Sequence, residues 1–117
     1  MTAPREVAEA FSRHRFRDVY PVLAPDVVWT AVGSRRTVGR DAVVGLCEQT
    51  LAALAGTRVE FTRFVLVADG DAAACDVVAR YTDPGGTSVV ASCDVYEFRD
   101  GALAVITSYD VELETPG

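Results

Sequence analysis

The sequence predicts an α+β domain with its helices first and an antiparallel sheet after them, folded around a small-molecule pocket. Apolar residues recur at helical spacing near the N-terminus and again over 41–55. From Arg58 onward, long strand-like segments are separated by hairpin turns. The 117 residues fit one domain over 1–117, because domains cluster around ~100 to 150 residues.

Each element has its own signal. Pro4 stands where a first helical turn tolerates proline. Val7, Ala10, Phe11 and His14 then follow the i, i+3, i+4, i+7 spacing of one face, so a first helix is expected over Ala3 to Arg15. Arg13, Arg15 and Arg17 cluster at its end, where cations complement the helix dipole. A short second helix carrying Val19, Tyr20 and Leu23 is expected before Pro25, because the residue ahead of a proline is pushed out of the helical region. Val27 to Val32 is β-branched and aromatic and reads as a strand, with Gly33 to Arg36 turning the chain. A third helix is expected from Asp41, as its N-cap, to Ala55, with Gly56 ending it. Strands follow over Arg58 to Ala68, Ala72 to Thr82, Thr87 to Arg99 and Ala102 to Glu112. Their connections, Asp69-Gly70, Asp83-Pro84-Gly85-Gly86 and Asp100-Gly101, are hairpin chemistry.

Composition narrows the partners. The 11 basic residues, all arginine, face 17 acidic ones, leaving a formal charge of −6. That balance repels a phosphate backbone or an anionic membrane, so neither nucleic acid nor membrane is expected as a partner. The apolar runs are short and the N-terminus carries charges before any hydrophobic stretch, so neither signal peptide nor membrane span is expected. Cys47, Cys75 and Cys93 are odd in number and widely spread. They read as buried small hydrophobes in a reducing cytoplasm. No zinc or other metal site is expected, since Cys75 and Cys93 point to opposite faces and no close Cys or His pair exists.

Strand pairing identifies an inner face. With Thr82 opposite Thr87, pairs continue as Ala79 with Val90, Val77 with Ser92 and Cys75 with Asp94. One face then carries Cys75, Val77, Ala79, Tyr81, Val90, Ser92, Asp94, Tyr96 and Phe98. The opposite face holds Asp76, Arg80, Cys93 and Glu97, so Asp94 is an acid on the apolar side. A one-residue change in the loop would reverse that assignment.

The stretch Cys93-Asp94-Val95-Tyr96-Glu97-Phe98-Arg99-Asp100-Gly101, followed by a strand ending Ser108-Tyr109-Asp110-Val111-Glu112-Leu113, resembles the C-terminal hairpin of ketosteroid isomerase. The wider group is the nuclear transport factor 2-like superfamily, which includes SnoaL-like polyketide cyclases and limonene-epoxide hydrolases. Leu23-Ala24-Pro25-Asp26-Val27-Val28-Trp29 and Val38-Gly39-Arg40-Asp41-Ala42-Val43 add to the resemblance, which covers almost the whole chain. It implies a cone-shaped fold, with a curved antiparallel or mixed sheet wrapped around the N-terminal helices and enclosing an apolar cavity. It also implies a homodimer paired through the outer face of the sheet.

Carried over by position, the resemblance places Asp94 where the isomerase has a protonated aspartic acid of its oxyanion hole, and His14 where it has a tyrosine. The proton-shuttling base falls near Ala31, which has no carboxylate. Steroid isomerase chemistry is therefore not expected, because proton abstraction beside a carbonyl needs a base within reach. The Asp-Arg-Asp arrangement of the epoxide hydrolases is not reproduced either, its last acid falling near Ser108. Alternation puts Asp110 on the same strand face as Ser108 and Ile106.

The catalytic candidates are thus Asp94, His14 and Asp110. Trp29, Tyr20, Val77, Val90, Ser92, Tyr96 and Ser108 are expected to line the pocket. Together they suggest acid–base chemistry without cofactor, of isomerase, cyclase or hydrolase type, on a small apolar or polycyclic organic ligand. A non-catalytic ligand-binding protein and a dimerisation or protein-interaction module are the other two classes the fold allows. Ligand binding without turnover would mark the former, and a cavity filled by its own side chains the latter.

Overall fold

The computed structural model describes residues 3–113. Helix α1 spans Pro4–Ser12, with Val7, Ala8, Ala10, Phe11 and Ser12 buried along it. It ends before the expected Arg15 because His14 turns into the left-handed region at φ 65. The His14 N–H then donates to the Phe11 carbonyl at 3.0 Å and the Arg15 N–H to that of Ala10 at 2.8 Å. These two bonds form a Schellman closure whose left-handed position is ordinarily glycine. Two of the neighbouring arginines find side-chain partners instead of helix carbonyls. Arg13 pairs with Glu9 at 3.1 Å and lies 4.0 Å from the Phe64 ring centre, and Arg17 pairs with Glu48 at 2.8 Å.

The left-handed histidine yields a direct prediction. His14→Gly is expected to be about 1 kcal/mol more stable than His14→Ala. Both delete the imidazole, but only alanine keeps a Cβ in the disfavoured conformation. Paired urea melts measure the difference, and equal midpoints would contradict this cap geometry.

Two 3-10 turns, Phe16–Asp18 and Tyr20–Val22, replace the expected second helix. Pro21 and Pro25 leave too little uninterrupted chain for α-helical bonds. Leu23, expected on that helix, instead opens strand β1, Leu23–Ala31. Strand β2, Arg35–Val38, was expected as part of a turn and the link beyond it. It pairs antiparallel with β1 through Val28↔Val38 and Ala31↔Arg35. A four-residue edge strand with two arginines has little apolar pattern to read, and such charge is usual at sheet edges. Helix α2 spans Arg40–Ala53. Its N-cap is Gly39 rather than Asp41: the glycine adopts φ 97, and its carbonyl receives the Val43 N–H at 3.0 Å. Asp41 lies inside the first turn, where its charge suits the dipole. At the other end Leu54, not Gly56, is the C-cap.

Strands β3 (Arg58–Asp69), β4 (Ala72–Asp83), β5 (Gly86–Arg99) and β6 (Ala102–Leu113) complete a curved six-stranded sheet in the order β2-β1-β6-β5-β4-β3. It is mixed, because β1 runs parallel to β6. The β4–β5 register matches the expectation, with Thr82↔Thr87, Ala79↔Val90, Val77↔Ser92 and Cys75↔Asp94. Asp83 also pairs with Gly86, which tightens the loop to Pro84-Gly85 without shifting the register.

Two bulges set the inner face. In β3, Phe61 pairs with Ala79 but Arg63 with Val78, so the extra Thr62 brings both Phe61 and Phe64 inward. In β6, Val105 pairs with Glu97 but Leu103 with Phe98, and Ala104 is the extra residue. Beyond it, Ile106, Ser108 and Asp110 stand opposite Tyr96, Asp94 and Ser92. Helix α1 packs on β3, β4 and β5, and α2 on β1 and β2. The core between them buries Phe11, Val43, Cys47, Cys75, Tyr96 and Ile106.

Candidate functional site

Between the C-terminal end of α1, helix α2 and the inner sheet face lies a cavity of about 240 Å³. His14, Asp94 and Asp110 all line it, and so do Trp29, Val77, Val90, Ser92 and Ser108. Each reaches it by a different route. The Schellman turn carries His14 there, β5 and β6 supply the acids from neighbouring inward positions, and β1 lays Trp29 beside Ile106.

Two expected wall residues are elsewhere. Tyr20 does not line this cavity, because the 3-10 turn directs its hydroxyl to Glu48, to which it donates at 2.6 Å. Burial and that bond to the Glu48 carboxylate push the phenol pKa well above its ordinary value. Tyr96 sits behind the wall, 0 % exposed, with its hydroxyl 2.6 Å from Ser12 Oγ and its ring against Phe11.

Asp94 is held on several sides. Ser12 Oγ donates to Asp94 Oδ2 at 2.8 Å and lies 2.6 Å from the Tyr96 hydroxyl. A serine has one hydrogen to give, so with Asp94 ionised the chain runs Tyr96 to Ser12 to carboxylate. Ser108 stands directly opposite Asp94 as its cross-strand partner. Ser108 Oγ in turn accepts the Trp29 indole N–H at 3.0 Å. Burial raises the Asp94 pKa above the ordinary 3.8, against the opposing pull of the nearby hydroxyls of Ser108, Ser12 and Tyr96. Burial lowers that of His14 from 6.5. Asp110 is raised by burial first and by the Asp94 charge second. The two environments therefore bring an acid and a base of unequal ordinary strength closer together, a pattern concentrated at functional sites.

Aromatic rings form most of the remaining wall. Phe11 lies 4.8 Å from Phe16 and 5.0 Å from Trp29 between ring centres, and His14 lies 5.8 Å from Phe61 and 6.0 Å from Tyr81. The Tyr81 hydroxyl is 3.4 Å from His14 Nε2. Ala31, the position that the resemblance gives to the shuttling base, lines the cavity with a methyl group. Among the described residues, no three His, Cys, Asp or Glu side chains gather as a metal centre would require.

Ser12 is the polar group that sequence reasoning missed. Its signal was the row Ala8, Ser12 at i, i+4 beside the recognised apolar face, which placed a hydroxyl on the buried side. Phe16 and Thr50 gave no comparable signal, because their approach depends on how the turns and α2 dock. Phe61 depended on the β3 bulge.

Comparison with known proteins bears on the same architecture. The model of the SnoaL-like domain matches residues 5–106. A nuclear transport factor 2-like protein of unknown function from Cytophaga hutchinsonii superposes with a TM-score of 0.79 at 24% identity, covering 90% of this chain and 93% of that one. A putative polyketide cyclase from Xanthomonas campestris gives 0.67 at 25% identity over 88% and 83%. An LEH-like epoxide hydrolase from M. tuberculosis gives 0.63 at 22% identity over 89% and 76%. The search of curated proteins gave no match. The α+β cone is thus common to proteins of several described chemistries, and this chain belongs to the SnoaL-like domain family.

Proposed function

We propose that the protein is a small-molecule enzyme that works by cofactor-free acid–base chemistry, with Asp94 and His14 as the proton-handling pair. The observation that carries this reading is their presence on one cavity, with burial shifting their pKa values toward each other. A substrate between them meets a carboxyl on the β5 side and an imidazole at the end of α1. One group gives a proton to a developing oxyanion or leaving oxygen, while the other removes a proton from carbon or from water. Enolisation, aldol-type cyclisation, isomerisation and water addition all fit that exchange. The methyl group of Ala31 argues against the ketosteroid isomerase route, which needs a carboxylate at that position.

The cavity volume favours a compact ligand, since pockets for drug-sized molecules measure roughly 300–1,000 Å³. A polycyclic substrate would place only one end inside. A panel of enolisable ketones, cyclisable polyketide-like esters and epoxides tests the proposal. Turnover of at least one class, lost in Asp94→Asn and His14→Phe, is expected, and full activity in both variants would overturn it.

The functional unit we propose is a homodimer. The outer sheet face exposes Val65, Val67, Tyr109, Val111 and Leu113, with both helices packed on the other side. Large apolar side chains exposed together on one sheet face mark a candidate interaction surface. Sedimentation is expected to give a dimer that Val111→Lys converts to monomer; a monomeric parent protein would exclude this assembly.

A further inference from the structure

The polar inventory of the cavity is unbalanced toward hydrogen-bond acceptance. Of its hydroxyls, Ser12 donates to Asp94 at 2.8 Å and Thr50 to the Leu46 carbonyl at 2.9 Å, while Ser92 has no side-chain partner among the described residues. The Trp29 N–H is taken by Ser108 at 3.0 Å. The Tyr81 hydroxyl is within 3.4 Å of the imidazole. Asp110, an exposed residue at the open side of the cavity it helps to line, has no hydrogen bond or ion pair among the described residues.

Charge follows the same direction. The lining holds two acids, Asp94 and Asp110, and no arginine or lysine. Arg13, the nearest arginine in sequence, is turned away onto Glu9 and the Phe64 ring. Phe11, Phe16, Trp29, Phe61 and Tyr81 line the remaining space. Aromatic faces attract cations through their quadrupoles, and more strongly when the cation is desolvated. An anionic ligand would meet two carboxyls and electron-rich rings.

We propose that the ligand of this cavity is an organic amine carried as its ammonium ion, with the charged nitrogen donating to Asp110 and the apolar body lying among the rings. The inference rests on the cavity being the substrate site. It narrows the substrate class to compact amines whose reacting carbon or oxygen lies between Asp94 and His14.

Direct binding to the full chain tests it, with benzylamine, benzyl alcohol and benzoate as size-matched cationic, neutral and anionic probes measured by titration calorimetry at neutral pH. Benzylamine is expected to bind at least about tenfold more tightly than benzyl alcohol, with benzoate weakest. In Asp110→Asn that preference should fall to about threefold or less, while benzyl alcohol binds as before. Equal or tighter binding of the alcohol or of benzoate would overturn the inference. So would binding of none of the three, or an ammonium preference that survives Asp110→Asn. No turnover is needed for the measurement. An ammonium preference without catalysis would remove the enzymatic reading alone, and catalysis without the preference would remove this inference alone.

Discussion

Asp94→Asn is expected to lower turnover on a substrate of this site by about 100- to 10,000-fold, the range that a positioned acid or base contributes. The substitution keeps the side chain's size and its place opposite Ser108, so the loss reports proton transfer more than packing. His14→Phe, which keeps a ring beside Phe16 and Phe61, should fall into the same range. Because burial raises Asp94 from 3.8 and lowers His14 from 6.5, the active form is the pair with one proton between its members. A second proton inactivates it at low pH and removal of the first at high pH, so the rate profile should be a bell. Rate measurements across pH on the parent protein and both variants check this, and a flat profile would sink the assignment.

The same shift predicts a stability effect with a definite sign. A carboxyl whose folded pKa lies above its unfolded value binds protons more tightly in the native state. Its contribution is therefore present below the unfolded value near 3.8 and is lost as pH rises through the raised folded value. Relative to Asp94→Asn, the parent protein should lose stability across that window and change no further above it. Urea melts at stepped pH measure the difference.

Ser12→Ala should destabilise the domain by about 1–3 kcal/mol, the cost of leaving a buried polar group without its partner. The orphan is the Tyr96 hydroxyl, which is fully buried and 2.6 Å from the serine. Asp94 loses a donor in the same step, so its pKa should climb further, which carboxyl NMR titration would show. The chain from Tyr96 through Ser12 to Asp94 acts as one unit, and a double-mutant cycle exposes that. Tyr96→Phe removes the orphaned hydroxyl, so the double variant should be less destabilised than the sum of the two single ones. Strict additivity would mean that the three groups are not coupled.

These two experiments fall on either side of what could be read in advance. Asp94 was legible: hairpin chemistry at Asp83-Pro84-Gly85-Gly86 fixed the β4–β5 register, and strand parity alone put the acid inside. The actual loop is tighter than expected, yet the pairing of Thr82 with Thr87 is the same. Ser12 was not singled out, because a serine at the end of a helix reads locally as an exposed residue. Its burial follows from α1 lying across β4 and β5.

The sequence by itself determined the two α-helices, five of the six strands, the inner face of β4 and β5, and the two acids on that side. Local propensities and the two-residue strand period act over a few residues, and those features need nothing more. Only the tertiary structure decided how the pocket is built. Strand β2 exists because β1 offers it an edge, and Phe61 faces inward because Thr62 bulges. Helix α1 stops at Ser12 because His14 takes a left-handed turn, and the same turn delivers the imidazole to the cavity. Each of these depends on contacts between segments far apart in the chain, where packing overrides the local preference.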